Sequence, residues 1–326
     1  MPLTIRELRV EDPATVPELL ALYRDAVAAD APRYPEPTES LLRWLMVPRV
    51  ARHRSCVVAY DGDRPVGYGC MNHDNETNRD LISGNLWIRP EDRAEVAVPL
   101  IGAFKAYARG RGCTRLTLPF GDHSTDYEAV FTAEGGRPVA REFRMQVDLT
   151  AIDRERYADL AQPSEKNAHY RIEQWRSPTP EHLLPAVVQA NEAMRDAPTG
   201  DLDFQFAPAS IDRRRQMELD AMAVGTRLHI IAALTADATI AGFHEVLLFP
   251  GCRMADVGRT AVPTKFRGHG LGLRLKAALT LHLLEHEPQI DTVSTWNDSD
   301  NVPMLRVNGA LGYERAEAWS NWQFDL

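Results

Sequence analysis

From Tyr170 onward the apolar positions change period repeatedly, and each change marks an element. Tyr170–Trp175 alternates with period two, as a half-buried strand does. Pro180–Arg195 carries Leu183, Leu184, Val187, Val188, Ala190 and Met194 at helical spacing, and Ile211–Ala223 repeats that behaviour. Leu228–Ala233 and Thr239–Phe249 read as consecutive strands around a turn at Ala236-Asp237, with Arg253–Val262 as a third. Leu271–Leu284 is an apolar helix stopped by Pro288, followed by strand Ile290–Trp296, helix Val302–Leu311 and two short closing strands. This order predicts an α/β unit with a largely antiparallel mixed sheet flanked by helices. It does not match a doubly wound nucleotide fold, where strand and helix alternate throughout.

The first half repeats this plan. Asp30-Ala31-Pro32 recurs as Asp196-Ala197-Pro198, Val66-Gly67-Tyr68 as Ala241-Gly242-Phe243, and Ile88 with Arg93 as Val262 with Arg267. Phe131–Leu149 and Asn308–Leu326 are segments of equal length, with Gly135 and Gly312 in the same place and a shared Asp-Leu ending. Correspondences in one order along both halves indicate a tandem duplication. The expected organisation is a first domain over 1–150, a polar linker over 151–169, and a second domain over 170–326.

Composition removes several classes. The 326 residues are 44% hydrophobic and 25% charged, which fits a globular chain. With 37 basic and 46 acidic residues the net charge is −9, a balance that opposes nucleic-acid or anionic-membrane binding. No stretch is long and apolar enough for a membrane span, and MPLTIRELRVED lacks a signal-peptide profile. Cys56, Cys70, Cys113 and Cys252 show neither a CxxC pair nor zinc spacing, so no metal is expected. They read as reduced apolar fillers of a cytoplasmic protein, monomeric or homodimeric.

The sharpest local feature is Arg267-Gly268-His269-Gly270-Leu271-Gly272, between a strand and an apolar helix. Glycines there permit positive φ and close approach of a ligand, and the new helix's first N–H groups attract phosphate. A Walker loop would need a GKS or GKT ending, and a Rossmann fingerprint an early GxGxxG. The segment does satisfy the pyrophosphate loop Q/R-x-x-G-x-G/A of acyl-CoA-dependent transferases. A second signature follows: Asn297, Asn301, Met304, Asn308, Gly312 and Tyr313 lie in the next strand and helix. With both motifs in order, the chain resembles the GNAT superfamily of N-acetyltransferases, in the tandem two-domain form of actinobacteria.

That resemblance implies acetyl-CoA as acyl donor and a small-molecule amine as acceptor. Thr260, Ala261 and Val262 would then contact the pantetheine arm, and Arg267, Gly268, His269, Gly270, Leu271 and Gly272 the pyrophosphate. Asn297, Asn301 and Met304 are further cofactor candidates. Strand alternation puts Asp256, Gly258, Thr260 and Val262 on one face, making Asp256 a candidate base, with Glu245 as rival. His244 would point to the other face. Where many family members carry a tyrosine acid stands Asn308, which either positions the thiolate or leaves that task to Tyr313 or water. The connection between the two helices holds Asp196, Asp201, Asp203 and Phe204, carboxylates and an aromatic suited to a cationic acceptor. In the first half the loop reads Arg93-Ala-Glu95-Val96-Ala-Val98, and branched Val96 and Val98 resist the required backbone. Two readings stand: an N-acetyltransferase working by direct attack in the second domain, or a silent acyl-CoA-binding sensor or scaffold.

Overall fold

The computed structural model describes residues 3–8, 15–46 and 52–326, so part of the N-terminal segment compared with a leader lies outside it. The described chain divides into two compact units. Unit 1 holds Met1–Phe143, Thr199–Gln205 and Ala316–Leu326; unit 2 holds Arg144–Pro198 and Phe206–Arg315.

Unit 1 contains β1 (Leu3–Glu7), α1 (Thr15–Asp30), α2 (Glu39–Met46), β2 (Arg52–Asp61), β3 (Arg64–Asp74), β4 (Leu81–Ile88), α3 (Arg93–Gly110), β5 (Arg115–Gly121), α4 (Asp126–Ala133) and the first part of β6 (Gly136–Asp148). Gly62, at φ +61°, makes the tight turn that folds β2 onto β3. Side chains then alternate between two cores. Cys56 and Val58 join Leu19, Leu22 and Tyr68, whereas Val57 and Ala59 face Leu100, Ile101 and Phe104 of α3. Strands β1 to β4 pair antiparallel, and β4 meets β5 in parallel from Leu81–Arg115 to Ser83–Thr117.

Unit 2 contains α5 (Arg154–Ala161), β7 (Arg171–Arg176), α6 (Leu184–Asn191), α7 (Ile211–Ala223), β8 (Arg227–Leu234), β9 (Ile240–Leu248), β10 (Met254–Ala261), α8 (Leu271–His286), β11 (Thr292–Asp298) and α9 (Val302–Ala310). Strands β7 to β10 pair antiparallel, and β10 meets β11 in parallel. Every residue of β9 is buried, so this strand is covered on both faces. Polar His244 and Glu245 inside it must therefore find partners within the protein.

The α/β class and the mixed, largely antiparallel sheets agree with the expectation from sequence. The units, however, do not follow the ranges 1–150 and 170–326. Each takes its closing strand from the opposite half of the chain. The last strand, β12 (Glu314–Asp325), lies mostly in unit 1 and pairs with β5, from Trp319–Gly121 to Asp325–Arg115. Residues 144–148 of β6 stand beside β11 in unit 2, where Leu149 N donates to Asp291 O at 2.7 Å. The two short closing strands expected from sequence are thus a single strand, in which no glycine or proline interrupts Glu314–Asp325.

The segment 151–169 is likewise built into unit 2. Asp153 caps α5 by accepting from Arg156 N at 3.0 Å, and Tyr157 donates to Leu311 O at 2.5 Å. The expectation of four reduced cysteines is also corrected. Cys56 and Cys70 stand directly opposite on β2 and β3, Cα atoms 4.1 Å apart, and form a disulfide, whereas Cys113 and Cys252 are free and buried. The inference of a reducing compartment from the thiols falls with it. Among the described residues no helix is long and apolar enough to cross a membrane.

Phe104 is fully buried, and its ring occupies the space above Gly69 and Gly84, where any Cβ would crowd it. Phe104→Ala is expected to cost about 3–5 kcal/mol by leaving a cavity there. Chemical denaturation read by tryptophan fluorescence measures it; a loss below about 1 kcal/mol would show that this packing is dispensable.

Candidate active site

The pairing of β10 with β11 is short. It runs Met254–Thr292, Ala255–Val293 and Asp256–Ser294 and then stops, although both strands continue. Beyond Asp256 no further β10–β11 pair forms among the described residues. Asp256 therefore sits at the vertex of a gap.

Which side chains face which way is set by a bulge. On β9 the partners of β10 run Leu247 for Asp256, Val246 for Val257, then Glu245 for Arg259 and His244 for Thr260, with Gly258 as the extra residue. The strand's alternation inverts there. Asp256 shares a face with Arg259 and Glu245, while Thr260 and Val262 lie with His244 on the other. The single face expected for Asp256, Gly258, Thr260 and Val262 is therefore corrected, because a simple period of two does not survive a bulge.

The His244 face is closed by α8. His244 Nδ1 and Thr260 Oγ1 share a hydrogen bond of 2.9 Å. Burial, then the Lys276 charge, hold the imidazole well below its ordinary pKa, so it is neutral. Lys276 is itself without exposure; its Nζ donates to Asn308 Oδ1 at 2.6 Å and lies 4.8 Å from the Tyr313 ring centroid. Asn308 in turn donates to Asn297 Oδ1 at 2.7 Å. Both ends of the Asn308 amide are thus occupied and the residue has 0% exposure, so it is placed as a buried tie between helix and strand. Tyr313 is buried too, with no hydrogen-bond partner for its hydroxyl among the described residues, and burial raises its pKa.

The Asp256 face differs. Its Oδ1 is shut from solvent and has no hydrogen-bond partner among the described residues. Desolvation, partly offset by the Arg144 guanidinium, pushes its pKa up to about 7. Arg144 comes from β6, is itself unexposed, and donates to Ser294 Oγ at 3.2 Å. Glu245, the rival base, is committed elsewhere. Its carboxylate accepts from Arg214 at 2.6 Å and Arg259 at 2.8 Å. Desolvation pushes its pKa up, but the two guanidiniums outweigh burial and hold it below the ordinary value. An ionised, doubly paired carboxylate is a poor proton acceptor.

The glycine loop joins β10 to α8. Gly268 has φ +81° and Gly270, the N-cap of α8, has φ +76°, conformations that branched residues resist. No side chain caps α8, and a Cβ on Gly268 or Gly272 would meet nothing within 4 Å, so the helix's first N–H groups look onto open space. The loop is braced from behind: Asn167 donates to His269 O at 3.0 Å, Tyr170 OH contacts His269 Nδ1 at 2.6 Å, and Arg274 donates to Asn167 O at 2.8 Å. Arg267 donates to Val262 O at 3.1 Å and to Asp196 at 2.8 Å, and Thr264 also reaches Asp196 at 3.1 Å. Asn301 caps α9 by accepting from Met304 N at 3.3 Å.

The acidic segment does not stay together. Asp196 belongs to unit 2 beside the loop, whereas Asp201, Asp203 and Phe204 belong to unit 1. There Asp201 N donates to Val139 O at 2.7 Å and Arg115 donates to Asp203 O at 2.8 Å. In unit 1 the counterpart of the Arg267–Asp196 pair is Arg93–Asp30, buried and joined by Ser124. Without the glycines α3 begins at Arg93 itself, so helix replaces loop.

Sequence reasoning missed Arg144, Asn167, Tyr170, Arg259 and Lys276. Lys276 left a signal: it interrupts the apolar run Leu275, Ala277, Ala278, Leu279, and is one of only four lysines in the chain.

No protein-family profile and no curated protein matches this chain. Solved structures do. A tandem GNAT protein from the clavulanic acid biosynthesis pathway, solved without AcCoA, is 25% identical with a TM-score of 0.84, over 99% of this chain and 98% of that one. A GCN5-related N-acetyltransferase from Sphaerobacter thermophilus is 15% identical with a TM-score of 0.69, over 99% and 95%. The N-myristoyltransferase of Saccharomyces cerevisiae, solved with myristoyl-CoA and inhibitors, is 10% identical with a TM-score of 0.63, over 100% and 81%.

Lys276 makes the site's burial measurable. Desolvation pulls its pKa from 10.5 down to about 7 in the folded state. Between those values the folded protein holds fewer protons than the unfolded chain, so this group makes stability rise with pH across the window. Lys276→Met is expected to remove that rise, measured as denaturation midpoints from pH 7 to 10; an unchanged slope would place the amine in water.

Proposed function

The chain has the tandem GNAT fold, and from that premise we propose that unit 2 is an acetyl-CoA-dependent N-acetyltransferase acting on the amine of a small molecule by direct attack. One observation carries this reading: the gap between β10 and β11 opens beside a carboxylate with an unpartnered oxygen and leads to an uncapped helix N-terminus with left-handed glycines. The open space over Gly268 and Gly272 suits an anionic pyrophosphate, and Arg267 stands next to it. The donor supplies an activated acyl group as a thioester. Thr260, Ala261 and Val262, on the strand edge leading to the loop, would hold its pantetheine arm, and a backbone N–H of that edge would polarise the carbonyl.

Asp256 takes the proton from the acceptor ammonium. Nitrogen then forms the C–N bond and, cationic at that point, gives its second proton to water as the C–S bond breaks; sulfur leaves as a thiolate that takes a proton from water. A base must be ionised to act, and a carboxyl whose pKa is raised to about 7 is matched to neutral pH. Asn308, tied to Lys276 and Asn297, is left out of proton transfer. The competing sensor reading needs the same loop but no base.

Thiol release from acetyl-CoA across an amine panel tests the proposal. Asp256→Asn is expected to lower kcat/KM by about 10²–10⁴-fold. For the wild type, kcat/KM should climb as pH rises through about 7 and level off above it, the inflection disappearing in Asp256→Asn. Tight binding without turnover on any amine would instead establish the sensor.

Calorimetric titration with acetyl-CoA should give one site per chain, abolished by Gly270→Val because valine resists φ +76°. Two sites would make unit 1 a second binder despite its helical loop.

A further inference from the structure

The face of β10 that carries Asp256 narrows the class of acceptor. The opposite face is sealed: His244 is 2% exposed, and Lys276 and Asn308 are 0% exposed. On the Asp256 face Gly258 is exposed, the Arg259 side chain retains 32% of its accessible surface and Trp296 37%. Ser294 pairs with Asp256, and Trp296 lies two positions beyond it, so the indole shares this face. An acceptor therefore reaches the gap from this side.

Arg259 is only partly used. Its Nη1 donates to Glu245 Oε1 at 2.8 Å and lies 3.2 Å from Met217 Sδ. Among the described residues its Nε and Nη2 make no hydrogen bond, and the side chain is accessible. Its carboxylate partner is shared, because Glu245 also accepts from Arg214. Arg214, Arg215 and Arg259 share two buried carboxylates, Glu218 and Glu245, with exposed Glu181 also on Arg215. The bulge sets the spacing. Asp256 and Arg259 oppose Leu247 and Glu245, alternate residues of β9, so they stand about 7 Å apart along the strand on one face. Were Gly258 paired in regular alternation instead of bulged out, Arg259, three residues after Asp256, would point to the sealed face.

Resting on the acetyltransferase reading, we infer that the acceptor is an amino acid-type molecule whose amine meets Asp256 and whose carboxylate is held by the free fork of Arg259. A planar guanidinium with two adjacent donors binds a carboxylate bidentately, a match an amine lacking that group cannot make. Arg259 is thus a specificity residue, and the carboxylate it holds takes no part in bond making.

The test is thiol release from acetyl-CoA with matched pairs: glycine and methylamine, β-alanine and ethylamine, phenylalanine and phenethylamine. In at least one pair the carboxylated member should be favoured about tenfold or more in kcat/KM. Arg259→Gln should bring that ratio towards one, mainly by raising KM. If that variant loses its circular dichroism spectrum, Arg259→Lys, which keeps a cation on Glu245 but not the fork, reads the same ratio. Decarboxylated amines used equally well in every pair, or both members weakened alike by the substitution, overturns the inference. Amine-dependent release lost in Asp256→Asn but without carboxylate preference removes this inference alone; no release from any pair removes the transferase reading with it.

Discussion

Everything distinctive in unit 2 depends on the pairing of β10 and β11 ending at Asp256–Ser294. A parallel pair that continued would satisfy its backbone groups internally and leave no edge for a ligand. Because the strands part, the ladder ends between sheet and glycine loop, and one carboxylate oxygen of the residue at the vertex is shut from solvent without a partner among the described residues. The perturbed state of Asp256 follows from that position. Unit 1 shows the same short parallel register, from Leu81–Arg115 to Ser83–Thr117, yet carries Ser83 at the vertex and Phe104 over its glycines. The geometry was duplicated; the chemistry was not.

The two faces of β9 and β10 treat buried charge in opposite ways. On one, Lys276 and His244 are held towards their neutral forms by burial and satisfied by amides and a hydroxyl. On the other, guanidiniums and carboxylates interlock as ion pairs. A fully buried β9 tolerates adjacent His244 and Glu245 only because each finds its own kind of partner.

Much of this was legible in the chain. Periods of two and 3.6 locate α7, α8 and α9 and the strands from β7 to β11, and the glycine loop announces a strand–helix turn. Counting outward from the Asp61-Gly62-Asp63 turn sets Cys56 against Gly69; the irregularity at Ala59/Tyr60, which skips Val66, moves it opposite Cys70, so the disulfide was not legible from simple register. Other features left no local trace. A bulge is decided by pairing with β9, so the inverted face of Thr260 could not be read from β10 alone. The assignment of Asp201 and Asp203 to unit 1 follows from bonds to Val139 and Arg115, distant in sequence. Asn308 read as a possible sulfur ligand because its burial against Lys276 is tertiary.

The exchanged closing strands bear on how such a chain can evolve. Once residues 144–148 complete the second sheet and residues 316–326 complete the first, neither copy is an independent gene product. The first copy can lack the glycines and the vertex acid, yet it cannot be deleted, because the strand that flanks Asp256's neighbour Ser294 and supplies Arg144 is encoded in it. Relaxed selection on chemistry combined with strict selection on architecture is what such an arrangement imposes. A half without the glycine loop, on this view, is retained as a covalently attached piece of its sibling's sheet.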